Sequence, residues 1–537
     1  MAATSKLETL PRELFDTVYR SVTRHADRLA LSSASTSLRR RLAPQLFRAV
    51  KLGSDPDAQW RGLGVLLAAG TPTAQFIRHS VEVVYFAGSA DGLVLKKDWK
   101  PSVPVLPEPC WQVLAGEVFL RATTVHVKFD FGGFEERTYR DGDDESGGGG
   151  GGGGAVGTEP WEHDSEFWGS GSNDVGSIYV YEKPETSEQV VRAKEERYPW
   201  RSLMRDVWSA LAENTAVKKL VVEDAVPKPT STFYSPAWVS FLGGLQELEV
   251  SMMTGDNGAG WEANTLDGYL YFECVQLRDL FFRHCTNLAR LRLVAGPRSS
   301  FGGGGEIDAS GDPQFGWCEG PLPLDEADLP NLERLELKNM FISKKLAEFI
   351  VGKGRRRENE EGMPREQVGR LRSVLLLNCH VNTGEANMAS WEEFFEMLVG
   401  TSARDAGDGH ASRSESWPKH HQRRHNLDEL DISYRYGSET IPLVHRHEDA
   451  PVCFIHDRHG QVNPSEVPVL QLLAMRDPNR RAFSYASPSG KYGDVWMDTG
   501  EVVERFAARG DEAAYFRLMQ TVQDNKRAVL ASCSVNS

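Results

Sequence analysis

The amino-acid sequence predicts an α/β protein in which a small helical module precedes a parallel sheet with helices on its outer side. Three observations lead to this prediction. A Leu-x-x-Leu-x-Leu pattern returns along the chain, helical stretches separate its copies, and glycine-rich or charged runs interrupt the array. One strand and one helix per repeat is typical of a right-handed parallel solenoid. We therefore expect an irregular solenoid with long disordered insertions.

The first fifty residues carry the pattern of a compact helical module. Pro11 suits a first helical turn, where its missing N–H costs nothing, and Glu13 suits the positive end of the helix dipole. Leu10, Leu14 and Val18 recur at four-residue spacing and predict one apolar stripe along this helix. A module of this size buries little apolar surface, so we expect a partner or a neighbouring domain to complete it.

Two further elements are expected in this module. A second helix runs through residues 29–31 and a stretch rich in serine and threonine, and residues 44–50 form a third element. In their order along the chain, the leucine–proline start, the serine-rich helix and the leucine–phenylalanine exit resemble an F-box, in the form common in fungal proteins. The matching residues are Leu10, Pro11, Glu13, Leu14, Leu29, Leu31, Ser32, Ser35, Leu38, Arg39, Pro44, Leu46, Phe47 and Val50.

The F-box resemblance covers about a tenth of the chain, residues 1–50 of 537. F-box proteins dock this module onto the small Skp-type adaptor of a cullin–RING ubiquitin ligase, and their C-terminal repeats hold a protein substrate. The resemblance therefore implies a substrate-recognition adaptor that is not itself an enzyme. It implies that the Skp-type adaptor binds Leu10, Pro11, Glu13, Leu14, Val18, Leu29, Leu31 and Leu38.

Composition and charge disfavour several other classes of protein. The net charge of −15 leaves no excess of basic residues to neutralise phosphates, which argues against a general nucleic-acid binder. The N-terminus lacks the apolar run of a signal peptide, and no stretch reaches the length of a membrane span. Seven cysteines are scattered without a CxxC pair, as expected for reduced thiols. We expect a cytoplasmic or nuclear protein with no membrane contact.

A connector at residues 51–75 leads into the repeat array, which we assign to residues 76–436. The strand pattern is that of a leucine-rich repeat, but clear copies begin 28, 43, 44, 39 and 56 residues apart, mostly further than the ~20–29 residues of a standard repeat. The array should therefore carry insertions. A doubly wound sheet is the alternative, and the repetition favours the solenoid. Weaker copies lie near residues 81–86 and 122–127, and the clear copies begin at Val217, Leu245, Leu288, Leu332, Leu371 and Leu427.

The longest insertion is expected at about residues 132–187. Its eight consecutive glycines at 147–154 and its acidic run at 141–145 cannot bury a core, which predicts disorder. The repeat is lost after residue 436. Residues 437–537 are expected to form a capping region with one short strand and two helices, because an open solenoid end would expose the core.

The sequence contains none of the common catalytic or phosphate-binding motifs. A histidine-rich span between residues 410 and 459 includes His445 with His447 and His456 with His459, which have the spacing of metal ligands. These pairs lie among charged residues with no paired cysteine, so a solvated loop is the favoured interpretation. No metal or other cofactor is expected, and a metal-dependent enzyme is the least favoured alternative.

The candidate binding surface is the concave face of the predicted sheet. In a Leu-x-x-Leu-x-Leu strand the leucines point into the core and the intervening side chains point outward. Basic strands in the middle, flanked by acidic ones, suit a protein partner with complementary charge, although such charges can also serve only solubility. The candidate partner-binding residues are Glu247, Glu249, Arg290, Arg292, Arg334, Glu336, Lys338, Glu429 and Asp431, with Ser373, Leu375 and Leu377 on the strand between.

Together with the predicted repeats, the F-box resemblance implies a substrate-recognition adaptor of a Skp–cullin–F-box ubiquitin ligase. The N-terminal helices would dock the Skp-type adaptor and the cullin complex, and the repeats would hold a protein substrate. The alternative is a non-ligase leucine-rich-repeat scaffold for protein interactions.

Overall fold

The structure is a computed structural model of the 537-residue chain. It describes residues 7, 9–53, 70, 72–89, 104–130, 183–253, 266–295, 306–307, 313–314, 322–325, 327–352, 370–382, 388–400, 427–433, 469–488 and 495–535.

The N-terminal residues form three short helices, which we call the head: α1 (Arg12–Ser21), α2 (His25–Ser33) and α3 (Thr36–Leu46). The sequence predicts three elements here but places their breaks wrongly. Ser35 has an extended backbone, and its Oγ accepts a hydrogen bond from the N–H of Leu38 (3.1 Å), so Ser35 caps α3. Serine is a strong N-cap and a poor residue for a helix interior. The serine-rich stretch therefore separates two helices, and residues 44–46 end α3.

One sheet of nine strands organises the described part of the chain. Its strands are all parallel and follow the order of the sequence, so each strand pairs with the strand before it and the strand after it. The fold is therefore α/β with a parallel sheet, as the sequence predicts. The strands are β1 (Ala49–Gly53), β2 (Val83–Ser89), β3 (Thr124–Asp130), β4 (Lys219–Ala225), β5 (Glu247–Met252), β6 (Arg290–Val294), β7 (Arg334–Lys338), β8 (Ser373–Leu377) and β9 (Glu429–Ser433).

The repeated leucines explain why these strands pair in this register. All six clear copies of the pattern and both weaker ones form strands of the sheet, which confirms the expected array of strands. Across β4–β9 the second leucine position of each copy lies opposite that of the next copy. These side chains are all buried, because one face of the sheet packs in the core. They are Leu220, Leu248, Leu291, Leu335, Val374 and Leu430.

Helices contribute their apolar faces to the same continuous core as the strand leucines. The last of them, α12 (Trp391–Val399), begins with a capping box, in which the Ser390 hydroxyl accepts a hydrogen bond from the N–H of Glu393 (3.1 Å) and the Glu393 carboxylate accepts one from the N–H of Ser390 (2.9 Å). Between α9 (Asp267–Tyr271) and α10 (Leu277–Leu280) the backbone forms a short π-helix, Phe272–Gln276. The helices are α4 (Pro72–Ser80), α5 (Glu108–Leu114), α6 (Glu188–Arg197), α7 (Pro199–Ala212), α8 (Pro236–Gly244), α9 (Asp267–Tyr271), α10 (Leu277–Leu280), α11 (Lys344–Gly352) and α12 (Trp391–Val399).

Strand β1 and helix α4 lie where the sequence predicts the end of the module and a connector. The five residues of β1 contain only two large apolar side chains, which is too short a pattern to indicate a strand. Pairing with β2 fixes the strand, since Ala49 lies opposite Val83 and the carbonyl of Arg48 accepts hydrogen bonds from the N–H groups of Glu82 and Val83. The head is therefore joined to the sheet directly.

The end of the predicted insertion 132–187 belongs to the folded part of the chain. Glu185 is buried and pairs with Arg201 (2.7 Å) and Lys228 (3.0 Å). Although burial raises the pKa of Glu185, these two cations lower it to about 2. An ion pair of this kind anchors the chain, so the expectation of disorder is wrong for residues 183–187. Residues 132–182 of the predicted insertion lie outside the described residues.

The C-terminal region covers the last strand, β9. It contains α13 (Val469–Arg476), the antiparallel pair β10 (Ala486–Pro488) and β11 (Val495–Met497), α14 (Thr499–Ala508) and α15 (Gly510–Val535). The strand and two helices expected in this region are therefore present. The side-chain amide of Asn525 on α15 donates a hydrogen bond to the carbonyl of Leu427 (2.9 Å), immediately before β9. Phe483 and Tyr515 contact the ring of Phe395 on α12.

His380 lies where the sheet meets the C-terminal region. Its ring is buried, its Nδ1 lies 2.7 Å from the hydroxyl of Ser484, and the next residue, Val381, forms a parallel bridge with Tyr485. Burial lowers the pKa of His380 from 6.5 to about 4. The neutral ring is therefore part of the folded state.

Replacing Trp238 with alanine should lower the free energy of unfolding by about 3–5 kcal/mol. The indole is fully buried among Trp208, Phe233 and Phe281, and its N–H donates a hydrogen bond to the carbonyl of Leu280 (3.0 Å). Urea unfolding measures the effect. Val239→Ala, at the exposed neighbouring position, is the control, and an equal loss in both variants would contradict this account of the core.

His380 should make the folded protein less stable in acid. Because its folded pKa of about 4 lies below its unfolded pKa of 6.5, its contribution is complete above pH 6.5 and is lost as pH falls towards 4. This shift corresponds to roughly 3 kcal/mol. His380→Gln should flatten the dependence of unfolding free energy on pH in that window, as measured by urea unfolding at several pH values. If the slope of unfolding free energy against pH is unchanged in this variant, His380 is not the group that causes the acid sensitivity.

Candidate functional site

The nine predicted partner-binding residues lie on one face of the sheet, opposite the leucine core. Their strands alternate between buried and partly exposed positions, and the predicted residues occupy the partly exposed positions. The parallel register brings eight of these side chains into two rows that cross the strands, and the ninth, Lys338, lies opposite Val294 and Leu377. One row contains Glu247, Arg290, Arg334 and Glu429, and the other contains Glu249, Arg292, Glu336 and Asp431.

Opposite charges alternate along the second row. Arg292 lies between Glu249 and Glu336, forms an ion pair with each, and has its Nε 2.7 Å from the carboxylate of Glu336. Partial burial opposes the charge on Arg292, but the two carboxylates outweigh it and raise its pKa. Cross-strand pairs of opposite charge stabilise a sheet by a fraction of a kcal/mol each. Arg292 is therefore paired on both sides and is not available as an isolated positive charge.

The strand between the basic and acidic parts, β8, does not offer open polar surface. Leu375 and Leu377 are only 7% and 3% exposed. The Ser373 hydroxyl donates a hydrogen bond to Glu429 (2.5 Å). Within the described residues, Arg334 and Lys338 form no ion pair, so their charges are free to contact another molecule.

The same face continues onto β2 and β3, which the sequence did not single out. The rings of Tyr85 and His126 lie 4.3 Å apart, and Nδ1 of His126 is 3.1 Å from the carboxylate of Glu223. In the register of the sheet Tyr85 lies between Lys51 and His126, and His126 lies between Tyr85 and Val221. The sequence contains enough information to predict the outward position of His126, because this residue lies between Val125 and Val127 of a weaker repeat copy.

The head carries a second candidate surface. Three apolar side chains of α1 and α2 are exposed to solvent: Leu14 (56%), Val18 (40%) and Leu29 (41%). The core of the head is filled by other residues, namely Phe15, Tyr19, Leu38 and Leu42. The predicted stripe containing Leu14 and Val18 therefore exists, but it faces solvent because the adjacent stripe of α1 packs inward.

The remaining predicted adaptor-binding residues divide between surface and core. Pro11 and Glu13 are exposed, as an interaction surface requires. Leu10 and Leu31 are partly buried and pack against the head core. Leu38 is only 4% exposed, so the structure places it inside the head rather than on its surface. Its packing partners are on α1, which the sequence spacing alone does not indicate.

The head is basic, whereas the chain as a whole is acidic. Residues 1–50 contain nine basic and four acidic residues, against a net charge of −15 for the whole chain. Two of the arginines cover aromatic rings of the head core: the guanidinium of Arg41 lies 4.0 Å from the ring centre of Phe15, and that of Arg28 lies 4.8 Å from that of Tyr19. The exposed apolar residues are therefore accompanied by positive charge.

Metal sites and membrane spans are absent from the described residues. No group of three His, Cys, Asp or Glu side chains in this part of the chain is arranged to hold a metal ion. The histidines of the 410–459 span lie outside the described residues. None of the described helices is long and apolar enough to cross a membrane.

Comparisons with known proteins give no relative for this chain. It matches no protein-family model, and no curated protein matches it.

Reversing the charge of Arg292 should destabilise the sheet. Arg292→Glu replaces two attractive cross-strand contacts with two repulsive ones, and we expect the free energy of unfolding to fall by about 1–2 kcal/mol. Urea unfolding at low and high salt measures the effect, which added salt should reduce. The control is Lys338→Glu on the neighbouring strand. If both variants lose the same stability at both salt concentrations, the paired row does not stabilise the sheet.

Proposed function

We propose that this protein is a substrate-recognition adaptor of a Skp–cullin–F-box ubiquitin ligase. The head would bind the Skp-type adaptor, and the sheet would hold a protein substrate. The proposal joins the F-box resemblance of residues 1–50 to the surfaces of the head and the sheet.

The observation that carries the proposal is the exposure of Leu14, Val18 and Leu29 on the head. Large apolar side chains that remain exposed together on a small module indicate an interaction site. Burying each of them against a partner would contribute roughly 1.5–3 kcal/mol. Pro11 and Glu13 are exposed on the same helical end and extend the proposed contact. Leu38 is left out of the proposed contact because it is buried.

The sheet is the proposed substrate platform, and we interpret it as a leucine-rich-repeat solenoid. The parallel strands in sequence order and the aligned leucines support this interpretation. Solenoids commonly use their strand surface for binding, since it presents many outward side chains side by side. The charged rows of β5–β9 supply such side chains here.

The proposed role involves no chemical step by this chain. Holding the substrate and the ligase on one molecule raises the local concentration of substrate lysines near the ubiquitin carrier. Catalysis would reside in the associated enzymes, and this chain would supply position.

A second candidate is a non-ligase leucine-rich-repeat scaffold, in which the head serves only to cap the sheet. The continuity between head and sheet favours this candidate: α3 packs against α4, and the chain enters β1 within three residues of the end of α3. A terminal cap is a general need of stacked repeats.

Leu14→Asp combined with Leu29→Asp should weaken binding to the Skp-type adaptor by about a hundredfold or more. Both side chains are exposed, so the head should still fold, while a charged group in the contact removes the apolar burial of two side chains. Isothermal titration calorimetry with the purified adaptor measures the affinity, and circular dichroism checks the fold.

The matched control is Leu120→Asp with Val239→Asp, which changes two exposed apolar residues outside the head. It should leave adaptor binding unchanged. Full binding by a folded Leu14→Asp, Leu29→Asp variant would disprove the proposed contact. Co-purification from cells then separates the two candidates. Recovery of both a cullin and the Skp-type adaptor with this protein supports the ligase role. If neither protein is recovered, the scaffold is supported.

A further inference from the structure

A groove of about 500 Å³ follows the edge of the sheet where β4–β7 begin. Two of its asparagines are already engaged in holding neighbouring repeats together. The side-chain amide of Asn287 donates a hydrogen bond to the carbonyl of Gly243 (2.6 Å), and that of Asn331 to the carbonyl of Thr286 (2.8 Å). These bonds fix the shape of the groove. Of the charged side chains that line it, Lys218 donates a hydrogen bond to the carbonyl of Gly244 (3.4 Å), and Glu247 pairs with Lys219 (3.4 Å) and Arg290 (3.2 Å).

Two arginines beside this groove form an unfavourable pair. Arg290 on β6 lies opposite Arg334 on β7, and like charges directly opposite each other destabilise a sheet. Arg290 has one acidic neighbour, Glu247, at 3.2 Å, and 61% of its side chain is exposed. Arg334 forms no ion pair within the described part of the chain. An anionic group bound between the two arginines would remove their repulsion.

Basic side chains outnumber acidic ones along the part of this edge formed by β4–β8, whereas Asp428 and Glu429 make the start of the next strand, β9, acidic. The last residue before each of β4–β8, the first residue of each strand, and Arg370 of the groove wall together supply six basic and two acidic side chains. The chain as a whole carries a net charge of −15, so this edge is a local exception. The basic residues are Lys218, Lys219, Arg290, Arg334, Arg370 and Arg372, and the acidic ones are Glu247 and Glu333.

We propose that this groove binds an acidic, extended segment of a protein, whose carboxylates pair with Arg290 and Arg334. The presence of Glu247 and Glu333 disfavours a continuous phosphate backbone but suits a peptide in which carboxylates alternate with uncharged residues. Gln246, exposed in the groove, offers both a donor and acceptors to a peptide backbone. The inference rests on the proposed function, because it names acidic segments as the substrate class that the sheet recognises.

Fluorescence anisotropy with the full chain tests the proposal. The probe is a short labelled peptide of alternating glutamate and serine, and its neutral counterpart has glutamine in place of glutamate. We expect the glutamate peptide to bind and the glutamine peptide not to bind. Arg290→Gln with Arg334→Gln should weaken binding about tenfold or more, because each arginine donates charged hydrogen bonds to the probe. The control is Arg283→Gln, at an exposed arginine outside the groove, which should bind as the wild type does.

Three results would overturn the proposal: equal binding of both peptides, an equal loss in the control, or tighter binding of a single-stranded thymidine oligonucleotide at the same arginines. Adaptor binding, measured on the same protein samples, separates this proposal from the ligase proposal. If the groove fails while the head binds the Skp-type adaptor, only the acidic-segment inference is wrong. If the peptide binds while the head does not bind, the ligase role is wrong and the groove remains a peptide site.

Discussion

The in-register stacking of leucines across the parallel strands determines the position of almost everything else. Side chains alternate faces along a strand, so a slip of one residue would move Leu248 or Leu291 to the charged face. The same alignment places Arg292 between two glutamates on the other face. The core and the charged face are thus specified by a single register, and neither can change without the other.

The strands of the array could be predicted because each repeat copy contains the full Leu-x-x-Leu-x-Leu pattern, which also shows which side chains point outward. Strand β1 could not be predicted, since its pairing with β2, and not its own sequence, makes it a strand. In the head, two adjacent stripes of α1 are both apolar, and four-residue spacing cannot tell which one packs inward. The contact with α3 decides it, burying Phe15 and exposing Leu14. The opposition of Arg290, which lines the groove, and Arg334 on the next strand likewise needed the register, because these two arginines are far apart in sequence.

Buried charges complement the leucine core at the place where the longest insertion rejoins the fold. Glu185 meets Arg201 and Lys228 in the interior, and its backbone carbonyl accepts a hydrogen bond from Gln276 (2.7 Å). Removing one member would leave an uncompensated charge in the core, which is strongly unfavourable. Loop-closure entropy grows only slowly with length. A fixed anchor after a long insertion therefore lets the repeats on either side keep one register.

Because α3 leads directly into β1, the sheet sets the distance between the head and each later strand. Neighbouring strands lie about 4.8 Å apart, so the five steps from β1 to β6 set Arg290 roughly 24 Å from the strand that continues the head. No tether of variable length intervenes. If the head and the groove bind partners as proposed, the number of strands between them sets the distance between the two bound molecules. Gain or loss of one repeat would change that distance by one strand spacing, about 4.8 Å.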